Sequence, residues 1–292
     1  MEIPSKFTGA RFKDYSTEIT WRRSMNYAAA VHDHNPRYFD DERTQGITAP
    51  PMMAVALTWP ISQRLWEYIE ADDFPRQILA TQVHYTEHLE FHRPLRPGDK
   101  LKIQGNIAAM TPHKAGTLVV IRYVATGGSG DPVFTEHLGG LMRGVKLADE
   151  GRGAEDLPRI PRLESESGPV WESIVPIDPL AAHVYDGCSD IFFPIHTSPA
   201  FAHRVGLPGI ILQGTATLAY SVREIINREA GGNSDLLRSV ACRFTGMVFP
   251  GSDIRVVLDA RVTDQTGTNL FFSVINAEGQ KAVSDGCARL SA

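Results

Sequence analysis

The same order of sequence features occurs twice along the 292-residue chain, and this repeat restricts the possible fold more than any other feature. Three groups of residues recur in order: Phe91, Pro97 and Gly98 as Phe244, Pro250 and Gly251 at an offset of 153, Asn35-Pro36 as Phe193-Pro194 at 158, and Gly46-Ile47 as Gly209-Ile210 at 163. The offset changes by a few residues, as loop insertions would cause. The sequence therefore predicts two related units that arose by duplication.

Each half contains one apolar segment with helical character, GITAPPMMAVALTWPISQRLWEYI in the first and GIILQGTATLAYSVREIINREA in the second. Runs that alternate apolar and polar residues follow, as is typical of strands: DKLKIQGNIA, AGTLVVIRYVAT and PVFTEHLGGLMRGV, then SDIRVVLDARVTD, NLFFSVINAE and KAVSDGCARLS. A single apolar helix needs a surface that covers it, and a curved antiparallel sheet supplies one. We therefore predict an α+β fold of two tandem units, each a long central helix wrapped by such a sheet, with edge strands that pair between the units.

A change in composition predicts the boundary between the two units. Residues 147–171, LADEGRGAEDLPRIPRLESESGPVW, are rich in Gly, Pro, Glu and Ser and have little apolar periodicity, so we interpret them as a linker. The first unit then covers residues 1–146 and the second covers residues 172–292.

Composition excludes several classes of function. The net charge is −5, and no run of Lys and Arg is dense enough for a nucleic-acid or anionic membrane surface. The longest nearly apolar run, APPMMAVALTWPI, is too short to span a bilayer, and no secretory signal is visible. Cys188, Cys242 and Cys287 are far apart and odd in number, which fits a reducing compartment. We therefore expect a cytoplasmic protein that binds neither nucleic acid nor membrane.

Three histidines, His84, His88 and His92, recur every four residues, a spacing that on a helix would suggest a metal site. The segment VHYTEHLEFH alternates as a strand, however, and strand geometry directs all three to one face beside Thr86 and Glu90. We interpret them as a polar sheet face, and we expect neither a metal nor a cofactor.

Two loop segments carry the functional hypothesis. In the second half, PIHTSPAFAHRVGLPGIILQGTATLA places a histidine two residues after a proline and a glycine at the start of the apolar helix. In the first half, HDHNPRYFDDERTQGITAPP places Asp and Asn just before a proline. Together with EFHRPLRPGDKL after the first helix, these segments resemble the hot-dog fold. More narrowly, they resemble the MaoC-like (R)-specific enoyl-CoA hydratase/dehydratase family in its fused double hot-dog form.

The resemblance covers nearly the whole chain outside the linker, and it implies a chemistry. The family loop has the pattern S-G-D-x-N-P-[LI]-H, followed by an H-G step that opens the central helix. In the family, the Asp and the His flank one water that adds to a 2-enoyl thioester, and the Asn orients them. A backbone N–H at the helix start polarises the thioester carbonyl. The expected substrate is an acyl-CoA or another acyl thioester.

The second half matches the later part of this pattern. Pro194–His196 match P-[LI]-H, and Gly214 matches the glycine that opens the helix. Ile191 stands at the Asp position and Phe193 at the Asn position, while Asp190 comes one residue early. A one-residue bulge would return the acid to its place, so the resemblance suggests His196 and Asp190 as the catalytic pair. The alternative is a loop histidine that caps backbone groups, beside a surface acid.

Residues next to these positions are candidates for substrate binding. Gly214 and Thr215 would present backbone donors to the thioester carbonyl, or would simply begin the helix. Gln213, which replaces the family histidine before that glycine, would contact the substrate through its amide, or would simply fill the place of that histidine. Phe192 and Phe193 would be core residues, or would line a pocket for an apolar acyl chain.

The first half matches the earlier part of the pattern. Asp33, Asn35 and Pro36 match D-x-N-P, but Tyr38 stands at the His position. Pro50-Pro51 stand where the carbonyl donor is expected, and a proline has no N–H. Asp33 and Asn35 are therefore candidates for catalysis, with an Asx-type loop as the alternative. Tyr38 is a candidate for substrate binding in a half that houses the acyl chain.

The leading hypothesis is a hydratase or dehydratase of an acyl thioester, of the 2-enoyl-CoA/3-hydroxyacyl-CoA type, that forms a homodimer or pairs with a related subunit. Two alternatives remain open. The incomplete residue sets suit a non-catalytic subunit that binds acyl thioesters or acts as a scaffold. The apolar Ile191 and Phe193 suit an enzyme of a specialised pathway that acts on a bulky substrate by elimination or isomerisation.

Overall fold

The computed structural model describes residues 1–163 and 168–292. Its strands are β1 (Glu2–Ile3), β2 (Tyr15–Glu18), β3 (Gln82–Phe91), β4 (Lys100–His113), β5 (Gly116–Thr126), β6 (Pro132–Arg143), β7 (Lys146–Leu147), β8 (Trp171–Pro176), β9 (Leu237–Phe244), β10 (Asp253–Asp264), β11 (Gly267–Ile275) and β12 (Lys281–Ser291). Its α-helices are α1 (Trp21–Ala30), α2 (Ala54–Gln63), α3 (Leu65–Tyr68), α4 (Ala181–Ser189), α5 (Pro199–Arg204) and α6 (Gly214–Glu229).

The strands of both halves form one antiparallel sheet of ten strands, in the order β2-β4-β5-β6-β3-β9-β12-β11-β10-β8. Each half contributes five adjacent strands. The two sets meet where β3 pairs with β9, from Thr86 opposite Arg243 to Glu90 opposite Ser239. The predicted α+β architecture, with edge strands paired between two units, is confirmed.

The predicted linker, residues 147–171, includes residues 164–167, which lie outside the described part of the chain. Its first part runs along the first half, where Met110 and Arg152 exchange backbone hydrogen bonds of 3.0 and 2.9 Å. Its last residue, Trp171, begins β8, which pairs with β10 in the second half. The unit boundaries at residues 146 and 172 stay predictions.

The backbone repeats in the two halves as the sequence predicts. Phe91 and Phe244, 153 residues apart, are the last residues of β3 and β9. Gly98 and Gly251 both adopt positive φ angles, 95° and 84°, in the turns before β4 and β10. Glycine adopts such angles without strain, which explains why this residue type recurs there.

The apolar helix of each half packs against that half of the sheet. In the second half, α6 is unbroken over 16 residues and buries most of them. In the first half, the apolar segment forms a 3₁₀ turn over Pro51–Met53, then α2 and α3. Pro60 cannot donate a helical hydrogen bond, and α2 ends where Arg64 leaves the helical backbone with φ of −117°. No helix within the described residues is long and apolar enough to cross a membrane.

A bulge in β3 changes the face that His84 occupies. The register with β6 shifts just after His84, so side chains on either side of the bulge no longer alternate. His84 Nε2 lies 3.0 Å from Oε2 of the buried Glu87, whereas His88 packs against His137 with ring centroids 5.8 Å apart. The prediction that His84, His88 and His92 share one face is therefore wrong, because the bulge moves His84 to the side of Glu87.

The two halves share one buried apolar core, and equivalent residues meet between them. The helices α1 and α4 pack together, and the hydroxyls of Tyr27 and Tyr185 lie 2.9 Å apart with both side chains buried. These tyrosines are 158 residues apart, the same offset that relates Asn35 to Phe193. The hydrogen bond between them therefore joins corresponding positions of the repeat.

Candidate active site

His196 is the predicted site residue with the clearest chemical arrangement. It ends the 3₁₀ turn Pro194–His196, and its Nδ1 donates a hydrogen bond of 2.8 Å to the carbonyl of Ile211. Because a carbonyl only accepts, the proton is on Nδ1 and the lone pair of Nε2 is free. Burial lowers the pKa of His196, and the Ile211 carbonyl opposes this in part. His196 is therefore a neutral base at neutral pH.

The segment after Ile211 leads directly to the start of α6. Gly214 is the first helical residue, and no side chain caps this end of the helix. The carbonyl of Gln213 accepts the N–H of Thr217 at 3.1 Å, while the N–H groups of Gly214 and Thr215 have no acceptor within the helix. A helix of 16 residues concentrates positive partial charge at these groups. The start of α6 can thus hold an oxygen that carries negative charge.

Gln213 has a buried side-chain oxygen without a partner. The residue is 1% exposed, and its Nε2 donates a hydrogen bond of 3.0 Å to the carbonyl of Ala182 in α4. This bond fixes the orientation of the amide. Its Oε1 is then left buried without a hydrogen-bond partner among the described residues. A buried amide oxygen of this kind needs a donor, from a ligand or from water.

The wall behind Gly214 is made by residues that the sequence analysis did not assign to the site. A Cβ atom on Gly214 would lie 3.1 Å from the ring of Phe244, so the position has little room for a side chain. The same ring meets the imidazole of His84 edge to face, with centroids 4.7 Å apart. His84 in turn pairs with Glu87, whose carboxyl contacts that of Glu136. These three residues come from the first half of the chain.

Asp190 lies on the exposed side of the loop. It ends α4 in the left-handed conformation with φ of 59°. Burial and the charge of Asp190 together raise the pKa of the nearby Cys188. Ile191, at the family's Asp position, is 3% exposed. Within the described residues, Asp190 and His196 form no hydrogen bond or ion pair, and His196 is held by Ile211 instead.

Phe192 and Phe193 form an exposed rim beside His196. Their exposed fractions are 49% and 47%. The ring of Phe193 meets that of Phe201 edge to face at 5.7 Å, and Gln63 at the end of α2 approaches the carbonyl of Phe192 at 3.5 Å. The two phenylalanines are therefore exposed on the surface close to His196 in the chain.

In the first half, Asp33 and Asn35 hold their own loop. Oδ1 of Asp33 accepts the N–H of Asn35 at 3.1 Å, and Oδ1 of Asn35 accepts the N–H of Arg37 at 3.1 Å. Nδ2 of Asn35 donates to the carbonyl of Gly232 at 2.7 Å. Burial raises the pKa of Asp33, and hydrogen bonds from Asn35 and Asn227 oppose this. These are the contacts of an Asx-type loop.

Asp33 and His196 lie near opposite ends of α6. Asp33 contacts Asn227, which is 13 residues after Gly214, a distance of about 20 Å along the helix. Tyr38, at the family's His position, is fully buried, and burial raises its pKa. The chain therefore does not bring the first-half candidates to His196.

An open groove of about 860 Å³ lies beside the first-half loop. Residues of both charges line it, among them His34, Arg223, Asp178 and Asp253. It adjoins the later turns of α6, and the carboxyl end of a helix carries negative partial charge.

The 3₁₀ turn before α2 begins at Pro51, which has no N–H to offer. Donors for a thioester oxygen are therefore found at the start of α6 and not at the corresponding step of the first half.

Comparison with known protein families assigns a different match to each half. The family described as MaoC like domain matches residues 166–282. The family described as FAS1-like, dehydratase domain region matches residues 6–136. The two matches leave out residues 137–165, which include the end of β6, β7 and most of the predicted linker.

Individual relatives agree with these matches. The chain is 24% identical over 178 residues to Enoyl-CoA hydratase ChsH3 of Mycobacterium tuberculosis, an alignment that covers 61% of this chain and 60% of that enzyme. The first curated relatives that it matches are longer, and the chain spans 10%, 60% and 15% of their lengths.

Solved structures share the whole fold. A MaoC-like dehydratase from Phytophthora capsici superposes with a TM-score of 0.83 at 21% identity, and the match covers 98% of both chains. A conserved hypothetical protein from Mycobacterium tuberculosis, described as a double hotdog fold, gives a TM-score of 0.61 at 11% identity over 97% of this chain and 96% of that one. Each half of the present chain is therefore a hot-dog unit.

Proposed function

We propose that this chain, which is similar to the MaoC-like dehydratases in their double hot-dog form, is a hydro-lyase that interconverts a 2-enoyl thioester and a 3-hydroxyacyl thioester. One observation carries the proposal. His196 keeps a free Nε2 and is hydrogen-bonded to Ile211, three residues before the uncapped start of α6 at Gly214. A base and a set of oxyanion donors are thus fixed to one short segment. The name of the relative ChsH3 supports a CoA thioester as the substrate.

The thioester carbonyl is proposed to bind at the start of α6. As water adds to C3, negative charge develops on the thioester oxygen, and the N–H groups of Gly214 and Thr215 stabilise it together with the helix dipole. Because Gly214 has no side chain, a carbonyl can approach the backbone closely at this point. One donor of this kind typically contributes about 10²–10³-fold to the rate.

His196 is proposed to act as the base in hydration. Its Nε2 takes a proton from water, the water oxygen bonds to C3, and the resulting imidazolium gives that proton to C2 as the enolate collapses, which leaves His196 neutral again. In dehydration, the imidazolium returns its proton to the leaving hydroxyl group. Burial keeps the pKa of His196 low enough for the ring to be neutral before each hydration. Asp190 stays the sequence-based candidate for its partner, and its exposed position makes this assignment a separate test.

Gln213, Phe192 and Phe193 are proposed to contact the substrate. The unpartnered Oε1 of Gln213 accepts a hydrogen bond from the attacking water or from the 3-hydroxyl group of the product. The exposed rings of Phe192 and Phe193 pack against the part of the thioester that lies outside the site. Tyr38, Asp33 and Asn35 are also candidates, and all three are buried. The hydrogen bonds of Asp33 and Asn35 to backbone groups support a structural role for these two residues.

The test is hydration of crotonyl-CoA and of longer 2-enoyl-CoA substrates, followed by the loss of the ultraviolet absorbance of the conjugated enoyl group. His196→Ala should lower kcat by about 10²–10⁴-fold. His203→Ala is a matched control, because His203 is an exposed histidine on the nearby α5. The product should be the (R)-3-hydroxyacyl-CoA, which a stereospecific dehydrogenase distinguishes from the (S) form.

Equal turnover in the wild type and in His196→Ala would refute the site. Tight binding of acyl-CoA without turnover would instead support the non-catalytic subunit, for which the incomplete residue sets of the two halves are the motivating observation. Asp190→Asn tests whether Asp190 is the catalytic partner of His196. A decrease in kcat as large as that of His196→Ala would support this role.

Two further properties are proposed from the sequence, a cytoplasmic location and a homodimer or a pairing with a related subunit. Cell fractionation and light scattering of the purified chain test them. A monomer in light scattering at every concentration would contradict the homodimer.

A further inference from the structure

His32 and Asp190 occupy corresponding positions of the repeat, 158 residues apart. His32 follows the end of α1 and Asp190 follows the end of α4, and both adopt the left-handed conformation, with φ of 50° and 59°. The same offset relates Tyr27 to Tyr185, whose hydroxyls meet between these helices. A left-handed residue just after a helix is where glycine is preferred. The backbone therefore aligns Asp190 with the glycine of S-G-D and Ile191 with its Asp, without the extra residue that a bulge would add.

Ile191 and Phe193 then stand where the first half has Asp33 and Asn35, again 158 residues apart. In the first half, the side chain of Asn35 accepts the N–H of Arg37 at 3.1 Å. In the second half, Ile191 is buried in the apolar core and the ring of Phe193 is half exposed. An alkyl chain and a phenyl ring neither hold a water molecule by a hydrogen bond nor transfer a proton. The two positions that hold the water in the family pattern are thus apolar here.

His196 is the group of this loop that can still move a proton. Within residues 191–196, IFFPIH, it is the only side chain that titrates. Its Nδ1 donates to the carbonyl of Ile211 at 2.8 Å, which leaves the lone pair on Nε2. The same hydrogen bond persists when Nε2 takes up a proton, so the Ile211 carbonyl supports the imidazolium as well. The amide of Gln213, beside it, neither accepts nor releases a proton at neutral pH.

We propose that this site also isomerises a 3-enoyl thioester to the conjugated 2-enoyl thioester, with His196 as the single base that carries a proton from C2 to C4. The inference rests on the base and the oxyanion donors of the proposed function and adds a second reaction to them. Hydration needs a water held against C3, and the residues at 191 and 193 cannot hold it. A proton shift along the acyl chain needs no water, so it uses only the groups that this loop retains.

The chemistry of the substrate suits a single neutral imidazole. In a 3-enoyl thioester, the C2 hydrogens lie between the carbonyl group and the double bond, and both groups stabilise the negative charge left when a proton departs. C2 and C4 are both bonded to C3, so one imidazole can serve both carbons from the same face. The substrate class is therefore an acyl thioester whose double bond lies between C3 and C4.

The proton transfers balance without any further reactant. The C2–H bond breaks, its proton goes to Nε2 of His196, and its electron pair enters a dienolate with negative charge on the thioester oxygen. The N–H groups of Gly214 and Thr215 stabilise this oxygen. The electron pair of the C3–C4 double bond then forms the C4–H bond with the proton of Nε2. The carbonyl group re-forms as C2 and C3 become doubly bonded, and the imidazole is neutral again.

The experiment follows the initial increase in ultraviolet absorbance when 3-hexenoyl-CoA becomes the conjugated 2-hexenoyl-CoA, with hydration of 2-hexenoyl-CoA measured beside it. His196→Gln, which keeps a side chain of similar size, should lower the isomerisation rate by about 10²–10⁴-fold. His203→Gln is the matched control, because His203 is exposed on α5, and it should keep the wild-type rate. Equal melting curves confirm that both variants are folded.

A second measurement tests the single base in the wild type and needs no variant. 3-Hexenoyl-CoA that carries two deuterons at C2 is converted in ordinary water, and the product is analysed by mass spectrometry at low conversion. One base that carries the deuteron from C2 to C4 gives product molecules that retain both deuterons. Product that has lost one deuteron completely would overturn the single-base transfer.

Absence of isomerisation in the wild type would overturn the inference, and so would an undiminished rate in a folded His196→Gln chain. Hydration without isomerisation in the wild type leaves the proposed function standing and refutes this inference. Isomerisation that depends on His196, in a wild type that hydrates no enoyl-CoA, gives the opposite result: the inference holds, and the proposed reaction is wrong.

Discussion

Replacement of Glu136 by glutamine should make the folded chain more stable at neutral pH, although most substitutions of buried residues destabilise a protein. Glu136 is fully buried in β6. Burial, and after it the charge of Glu87, raises its pKa well above 4.5, the ordinary value. In the unfolded chain the same carboxyl ionises normally. Folding at neutral pH therefore requires the uptake of a proton, and glutamine removes that requirement.

The direction and the size of this change in the free energy of unfolding follow from proton linkage. A carboxyl whose pKa is raised by folding contributes its full stability below pH 4.5 and loses it as the pH rises toward the folded pKa. Each pH unit within this window lowers the free energy of unfolding by about 1.4 kcal/mol for each carboxyl. Two units lower it by about 3 kcal/mol, a large part of the roughly 5–15 kcal/mol that a folded domain has. Glu136→Gln should remove one carboxyl's share of this slope.

The assay is urea denaturation followed by tryptophan fluorescence at a series of pH values from about 4.5 to about 7. The wild type and Glu136→Gln should be similar at the acid end, and the variant should be more stable at the neutral end. Glu90→Gln, which removes an exposed carboxyl from β3, should stay within about 0.5 kcal/mol of the wild type. A variant whose stability changes with pH as the wild type does would refute the protonated state of the pair, as would one that is less stable at every pH.

Three other predictions concern the site and the junction of the halves. Because burial lowers the pKa of His196 from its ordinary 6.5, the acid limb of the kcat/KM profile should lie below pH 6.5, and a midpoint above it would contradict a neutral base. Tyr185→Phe leaves the buried Tyr27 hydroxyl without its partner and should lower the free energy of unfolding by about 1–3 kcal/mol. The double variant with Tyr27→Phe should recover part of this loss in the same denaturation assay. Gly214→Ala places a Cβ 3.1 Å from Phe244, so kcat/KM should fall by about tenfold, or about 1.4 kcal/mol, with an unchanged circular dichroism spectrum.

The sheet and its duplication could be predicted from the sequence because both depend on local patterns. The alternating runs became β4, β5, β6, β10, β11 and β12 with small changes at their ends. The offset of 153 residues between Phe91 and Phe244 was sufficient to align β3 with β9. Strand periodicity is set by the backbone, so it survives in a single sequence. The need to protect the edge strands then predicted the pairing of the two units.

The carboxyl cluster of Glu87 and Glu136 with His84 could not be predicted in the same way, since it depends on a register shift. One bulge after His84 moves its side chain to the face of Glu87, and a pattern of strict alternation places it on the other face. Glu87 and Glu136 are 49 residues apart in sequence and meet only because β3 and β6 are neighbours. A partial signal was present: Glu136 follows an apolar pair and a threonine in PVFTEHLGG, at a position where alternation predicts an inward side chain.

The β3–β9 pairing brings the first-half strand that carries His84 and Glu87 against the end of β9, where Phe244 closes the wall behind Gly214. The surroundings of the start of α6 therefore come from both halves, although the motif residues Pro194, His196 and Gly214 belong to the second half alone. A reading of either half by itself does not predict this contact, because it depends on the pairing of strands from both halves.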